Sequence, residues 1–257
     1  MAVFLVCGLS IFFVPVFLQD AIKMAYQVAI VVLFLLLSAW LRRNEAKSGL
    51  FPVAFAFFIA ALVFALSSPF GGGTTIENRT FNIVLSMLLV VILLLVLVRL
   101  SGENWASIYL KRGNLRLGLI IGLVVFFFFL VTAVPFSIWI FGGASVTSDQ
   151  LLALAPWIAA FVFANSLKEE LLYRGLFLKK FELFLGKDMS NLTHAVVFSL
   201  AHLYIPFDSF TIIYWALAFF LGLGFAAVMQ KTDSLLGSFL FHAGSDIPLM
   251  LAVFSVL

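Results

Sequence analysis

The chain has 257 residues, 64% of them hydrophobic and 11% charged, with a mean hydropathy of +1.20 and a formal net charge of +3. These proportions exclude a soluble globular domain, and the absence of an arginine-rich or aromatic-interleaved basic patch excludes nucleic acid as a partner. The one cysteine, Cys7, excludes an intrachain disulfide and a cysteine-ligated metal.

Apolar stretches long enough to cross a bilayer recur from end to end, which predicts an all-α, polytopic membrane helical bundle of eight or nine transmembrane helices. One integral membrane domain, 1–257, uses up the length. In chain order the predicted helices cover 2–18, 25–41, 51–67, 82–99, 116–141, 151–178, 190–204, 209–229 and 234–255. The first lacks the basic n-region and small-residue cleavage site of a signal peptide and is read as a retained span. Polar, Gly- and Pro-containing segments at 42–49, 67–80, 101–114 and 142–150 separate the helices. The sequon Asn78-Arg79-Thr80 falls in one of these loops, on the outer side. Asp208 and Asp233 read as turn residues or caps, and His194 as interfacial.

With the N-terminus placed in the cytoplasm, Lys168 and Arg174 fall within the membrane, and of the other thirteen basic residues eleven lie on the cytoplasmic side and two, Lys23 and Arg79, outside. That asymmetry is what the positive-inside rule demands. It places the N-terminus in the cytoplasm and the C-terminus outside.

The greasy background makes the polar residues informative. Glu169, Glu170 and Arg174 lie in the segment ANSLKEELLYRGLF, and charged side chains near a membrane-helix centre cost about 2.5–3.5 kcal/mol each. Glu170 and Arg174 are four residues apart and share a helix face, as do His242 and Asp246. Glu169 is rotated by about 100° from Glu170, so one carboxylate can pair with Arg174 while the other faces a cavity. At about 1.5 Å per residue, Glu169, His202, His242 and Asp246 fall about 12–18 Å from the cytoplasmic ends of their helices. Three helices thus deliver two carboxylates and two imidazoles to a similar level, open toward the basic side of the protein. Such a set can hold a divalent metal and lower the pKa of its water. It can equally use a carboxylate and a histidine as general base without a metal. The bland alternatives are an i,i+4 ion pair and hydrogen-bonded packing histidines.

At these residues the chain resembles a family. Glu169-Glu170-Leu171-Leu172-Tyr173-Arg174 has the form E-E-x-x-x-R, Phe198 to His202 the form F-x-x-x-H, and His242 to Asp246 the form H-x-x-x-D. In this order, each on its own predicted helix, they resemble the motifs of the CAAX-protease and bacteriocin-processing (CPBP) intramembrane metalloproteases, which include the type II CAAX prenyl endopeptidases. The resemblance covers about 151–250. It implies a catalytic core over 151–257 and variable helices without a motif over 1–150. It implies that Glu169 and His202 activate the attacking water, and that His242 and Asp246 bind metal or stabilise the tetrahedral intermediate. Glu170, Arg174 and Phe198 would support the site. Any metal, zinc first among divalent ions, would be held by Glu169, His202, His242 and Asp246. Many relatives carry Asn where this chain has Asp246; an ionised Asp cannot donate to an oxyanion, which favours a ligand role.

The expected function is an intramembrane endopeptidase acting near the cytoplasmic leaflet on a peptide or a lipid-modified protein in the bilayer. The alternatives are an ion-coupled transporter, against which stands the lack of duplicated halves, and a non-enzymatic immunity or regulatory protein of the same fold.

Overall fold

The structure, a computed structural model, describes residues 1–44, 49–66, 75–203 and 211–256. Ten α-helices and no strand occur among these residues: α1 (Ala2–Phe12), α2 (Asp20–Arg43), α3 (Phe51–Leu66), α4 (Ile76–Leu100), α5 (Leu115–Val131), α6 (Ala133–Trp139), α7 (Ser148–Glu169), α8 (Leu178–Ala201), α9 (Thr211–Thr232) and α10 (Leu235–Ser255). The protein is a polytopic membrane helical bundle. Five of the described helices are long and apolar enough to cross a membrane, or six if α5 and α6 form one bent span. α1 and α3 are apolar but shorter, so these lengths do not establish the eight or nine spans read from the sequence.

The differences have backbone causes. The predicted 2–18 helix ends at Phe12 and passes into a 3-10 turn at Val14–Phe17, because Pro15 has no N–H to donate and its ring crowds the preceding turn. Pro135 does the same to the predicted 116–141 helix, which bends by 63° between α5 and α6. The basic linker after Arg174 is itself helical. α8 starts at Leu178 and bends at Gly186, whose φ of +73° only glycine adopts without strain. The Asn78 sequon lies in the first turn of α4, not in a loop, and Thr80 is buried. His194 is buried and stacked on Phe181, not interfacial. Asp208 lies outside the described residues.

α10 is the axle of the bundle. Of its apolar window 61% is buried within the protein, against 17–39% for the other full-length spans. It packs on α5, α6, α7 and α9. Against α5 the backbones nearly touch: a Cβ on Gly237 would stand 2.9 Å from the Gly118 Cα, and one on Gly244 would stand 2.6 Å from the Phe126 Cα. Small residues let membrane helices approach this closely, so dispersion can replace the missing hydrophobic drive. Two apolar clusters result, one around α1, α3, α4, α8 and α9 and one around α6, α7 and α10. Between them lies a seam where polar groups collect.

Candidate active site

The seam is built at the end of α7. Ordinary helical geometry stops at Glu169, and a π-helical turn runs from Glu170 to Gly175. π-turns interrupt helices mostly at functional positions. Here the turn separates adjacent carboxylates. Glu170 points into protein and is fully buried, as is Arg174. Arg174 Nη1 donates to Glu170 Oε1 at 2.7 Å, and His242 Nδ1 lies 2.8 Å from the same oxygen. Ser238 Oγ touches Glu170 Oε2 and lies 2.9 Å from the Phe225 carbonyl. The remaining guanidinium nitrogens, Nε and Nη2, find no hydrogen-bond partner among the described residues. The guanidinium faces the rings of Phe198 at 4.2 Å and Phe225 at 4.9 Å, an arrangement in which the ring quadrupole replaces part of the lost hydration.

Glu169 turns the other way, into a cavity of about 190 Å³ that it lines together with Asn165, His202, Tyr214, His242 and Asp246. α8 ends at Ala201, which puts His202 one residue beyond the helix, not inside it. His202 Nδ1 lies 2.7 Å from the Phe198 carbonyl. A carbonyl and a carboxylate can only accept, so Nδ1 carries the proton in both His202 and His242. In the neutral rings the Nε2 lone pairs are then free, and both face one atom. Glu169 Oε2 lies 3.6 Å from His202 Nε2 and 3.7 Å from His242 Nε2. His242 Nε2 is also 3.5 Å from Asp246 Oδ1. These separations are too long for direct hydrogen bonds, and Glu169 Oε2 is a buried oxygen without one among the described residues.

All seven side chains singled out in the sequence therefore gather within one site. Phe198 packs beneath it, with its ring centroid 4.2 Å from that of His202. Three further residues belong to the same network. Asn165 Nδ2 donates to Asp246 Oδ2 at 3.0 Å, and Lys168 Nζ donates to Asn165 Oδ1 at 2.9 Å and lies 3.2 Å from Glu169 Oε1. Ser238 is the third. The i,i+4 spacing of Asn165 from Glu169, and of Ser238 from His242, was the one local signal for each.

The cavity is also lined by Phe161 of α7, Tyr214 of α9 and Val253 of α10, together with Phe141. The basic end of the bundle is where Asp233, between α9 and α10, pairs with Lys111 and Lys179.

No three or more His, Cys, Asp and Glu side chains among the described residues form, as they stand, a group able to hold a metal ion. The donor types alone would suit one. Neighbouring donors around a tetrahedral zinc with bonds of about 2.1 Å are about 3.4 Å apart, near the three separations above, and Glu169 Oε2 is a buried acceptor without a hydrogen-bond partner among the described residues.

Residues 150–247, which contain all three motifs, match the family model of the Rce1-like type II CAAX prenyl endopeptidases. This chain is similar to that family. No curated protein and no solved structure matches it.

Proposed function

We propose that this chain is an intramembrane endopeptidase that hydrolyses a peptide bond in a membrane-associated protein. The observation that carries the reading is one carboxylate oxygen, Glu169 Oε2, which has no hydrogen-bond partner among the described residues and faces two imidazole Nε2 atoms at a cavity wall. The Rce1-like match over the same residues supports it. A water seated there donates one hydrogen bond to Glu169 Oε2 and the other to His202 Nε2. Glu169 takes the first proton as the water oxygen attacks the carbonyl carbon. It then delivers that proton to the departing amide nitrogen as the C–N bond breaks. Glu170 and Arg174 fix the tautomer and orientation of His242 from behind. The apolar walls of the cavity, with Phe141, Phe161 and Met250, suit a hydrophobic segment or a lipid chain on the substrate.

Glu169, His202, His242 and Asp246 are the residues that would hold a divalent ion. Such an ion would make its bound water more acidic. The expected outcome on this branch is about one zinc per chain in the purified protein and activity lost to a chelator and regained with zinc. Full activity in metal-free protein leaves the carboxylate–histidine mechanism alone. The function itself is tested with Glu169→Gln in liposomes against a fluorogenic peptide library. Turnover should fall by about 10²–10⁴-fold with unchanged thermal unfolding. Wild-type turnover by this variant would sink the role of Glu169, and no turnover by the wild type would sink the endopeptidase reading.

A further inference from the structure

The two carboxylates of the cavity share a pattern. Each has one oxygen turned toward the histidines, Glu169 Oε2 and Asp246 Oδ1. Each has its other oxygen held from behind, Glu169 Oε1 by Lys168 and Asp246 Oδ2 by Asn165. Lys168 and Asn165 are themselves joined. An ammonium only donates and a carboxylate only accepts, so the side chain between them must do both, and the Asn165 amide does so with two separate atoms. A lysine within a membrane-spanning helix is costly, and here its charge is directed at the cavity carboxylates.

We propose that Lys168 and Asn165 form a positioning arm that sets the orientation of Glu169 and Asp246 together. This rests on the peptidase reading above. The arm explains how a third acid is accommodated in the site. Arg174 is already committed to Glu170, so Lys168 offsets the charge that Glu169 and Asp246 bring to the cavity. Asn165 conveys this to Asp246, which lies beyond the direct reach of the lysine contacts. Without the arm the two front oxygens repel each other across His242, and Glu169 swings away from the attacking water.

The test uses donor–acceptor inversion in the full chain in liposomes, with the library peptide that the wild type cleaves fastest. Asn165→Asp sets a second acceptor against Asp246, and kcat should fall by about 10–100-fold, as is usual for outer-shell partners, with KM little changed. In an Asp246→Asn background the carboxylate introduced at position 165 accepts from the amide introduced at position 246, so the same N165D change should cost less than about threefold. An equal N165D loss in both backgrounds overturns the arm, as does no loss in the native background. If D246N is itself inactive, Lys168 decides: K168M should lower kcat by about 10–100-fold, and K168R should restore most of it. Equal kcat for K168M and wild type overturns the proposal. Glu169→Gln run in parallel separates the two failures. An active E169Q sinks the role given to Glu169, and a wild type that cleaves no peptide sinks the peptidase reading. An inactive E169Q beside fully active N165D and K168M sinks the arm alone.

Discussion

Glu170 and Arg174 are both fully buried, and at that depth a charge survives only when opposite charge and hydrogen bonds surround it. Glu170 has both: Arg174, His242 and Ser238 all reach its two oxygens. Arg174→Met would leave the carboxylate buried without its counter-charge, and the expected loss is about 3–5 kcal/mol of stability, read from thermal unfolding in detergent. Replacing Glu170 and Arg174 together by Met should recover much of that stability, since an apolar pair of similar volume often substitutes for a buried ion pair. Activity should stay low in the double variant, because His242 loses the acceptor that fixes its ring. The Glu170–Arg174 partnership was legible from i,i+4 spacing. The contacts of Asn165 with Asp246 and of Ser238 with Glu170 were not, because they join residues 81 and 68 positions apart.

At the scale of elements, α10 meets α5 along glycines, and the site depends on that closeness. Gly244 lies between His242 and Asp246, and a Cβ there would fall 2.6 Å from the Phe126 Cα. The neighbour is backbone, so a helix must shift. Gly244→Ala should cost about 1–3 kcal/mol and lower turnover as His242 and Asp246 move with α10, measured by unfolding and peptide cleavage on the same preparation. The breaks at Pro15, Pro135 and Gly186 were written in the sequence, yet hydropathy merged 2–18 and 116–141 into single spans, because a window average does not register a missing N–H. The π-turn after Glu169 left no local signature. It arises where α7 must turn Glu170 and Arg174 inward while Glu169 stays on the cavity wall.

Across the whole molecule, the basic end is tied by Asp233, in the turn between α9 and α10, with ion pairs to Lys111 before α5 and to Lys179 of α8. Partial burial pushes the Asp233 carboxyl up, but the Lys111 and Lys179 ammoniums outweigh this and hold it below its usual value. A carboxylate with a depressed folded-state pKa stabilises the fold above the unfolded value, near pH 4, and loses that contribution as pH falls through the lower folded value. Asp233→Asn tolerates the positive φ of 52° at this position. It should therefore lower the unfolding midpoint at pH 7 and match the wild type in strong acid. A constant difference at every pH would show that the ion pairs contribute nothing.

The sequence by itself determined the class of fold and the chemical inventory. Composition and apolar run lengths decide that a chain enters a membrane as helices, since in lipid every backbone polar group must be satisfied within the segment. The cost of charge at depth marks Glu169, Glu170, Arg174, His202, His242 and Asp246 before any coordinates are known. Only the tertiary structure decided which oxygen of which glutamate faces the histidines, and that Asn165 and Lys168 stand behind the site. Those facts depend on helix rotation and on contacts between distant segments, which hydropathy and local spacing do not encode.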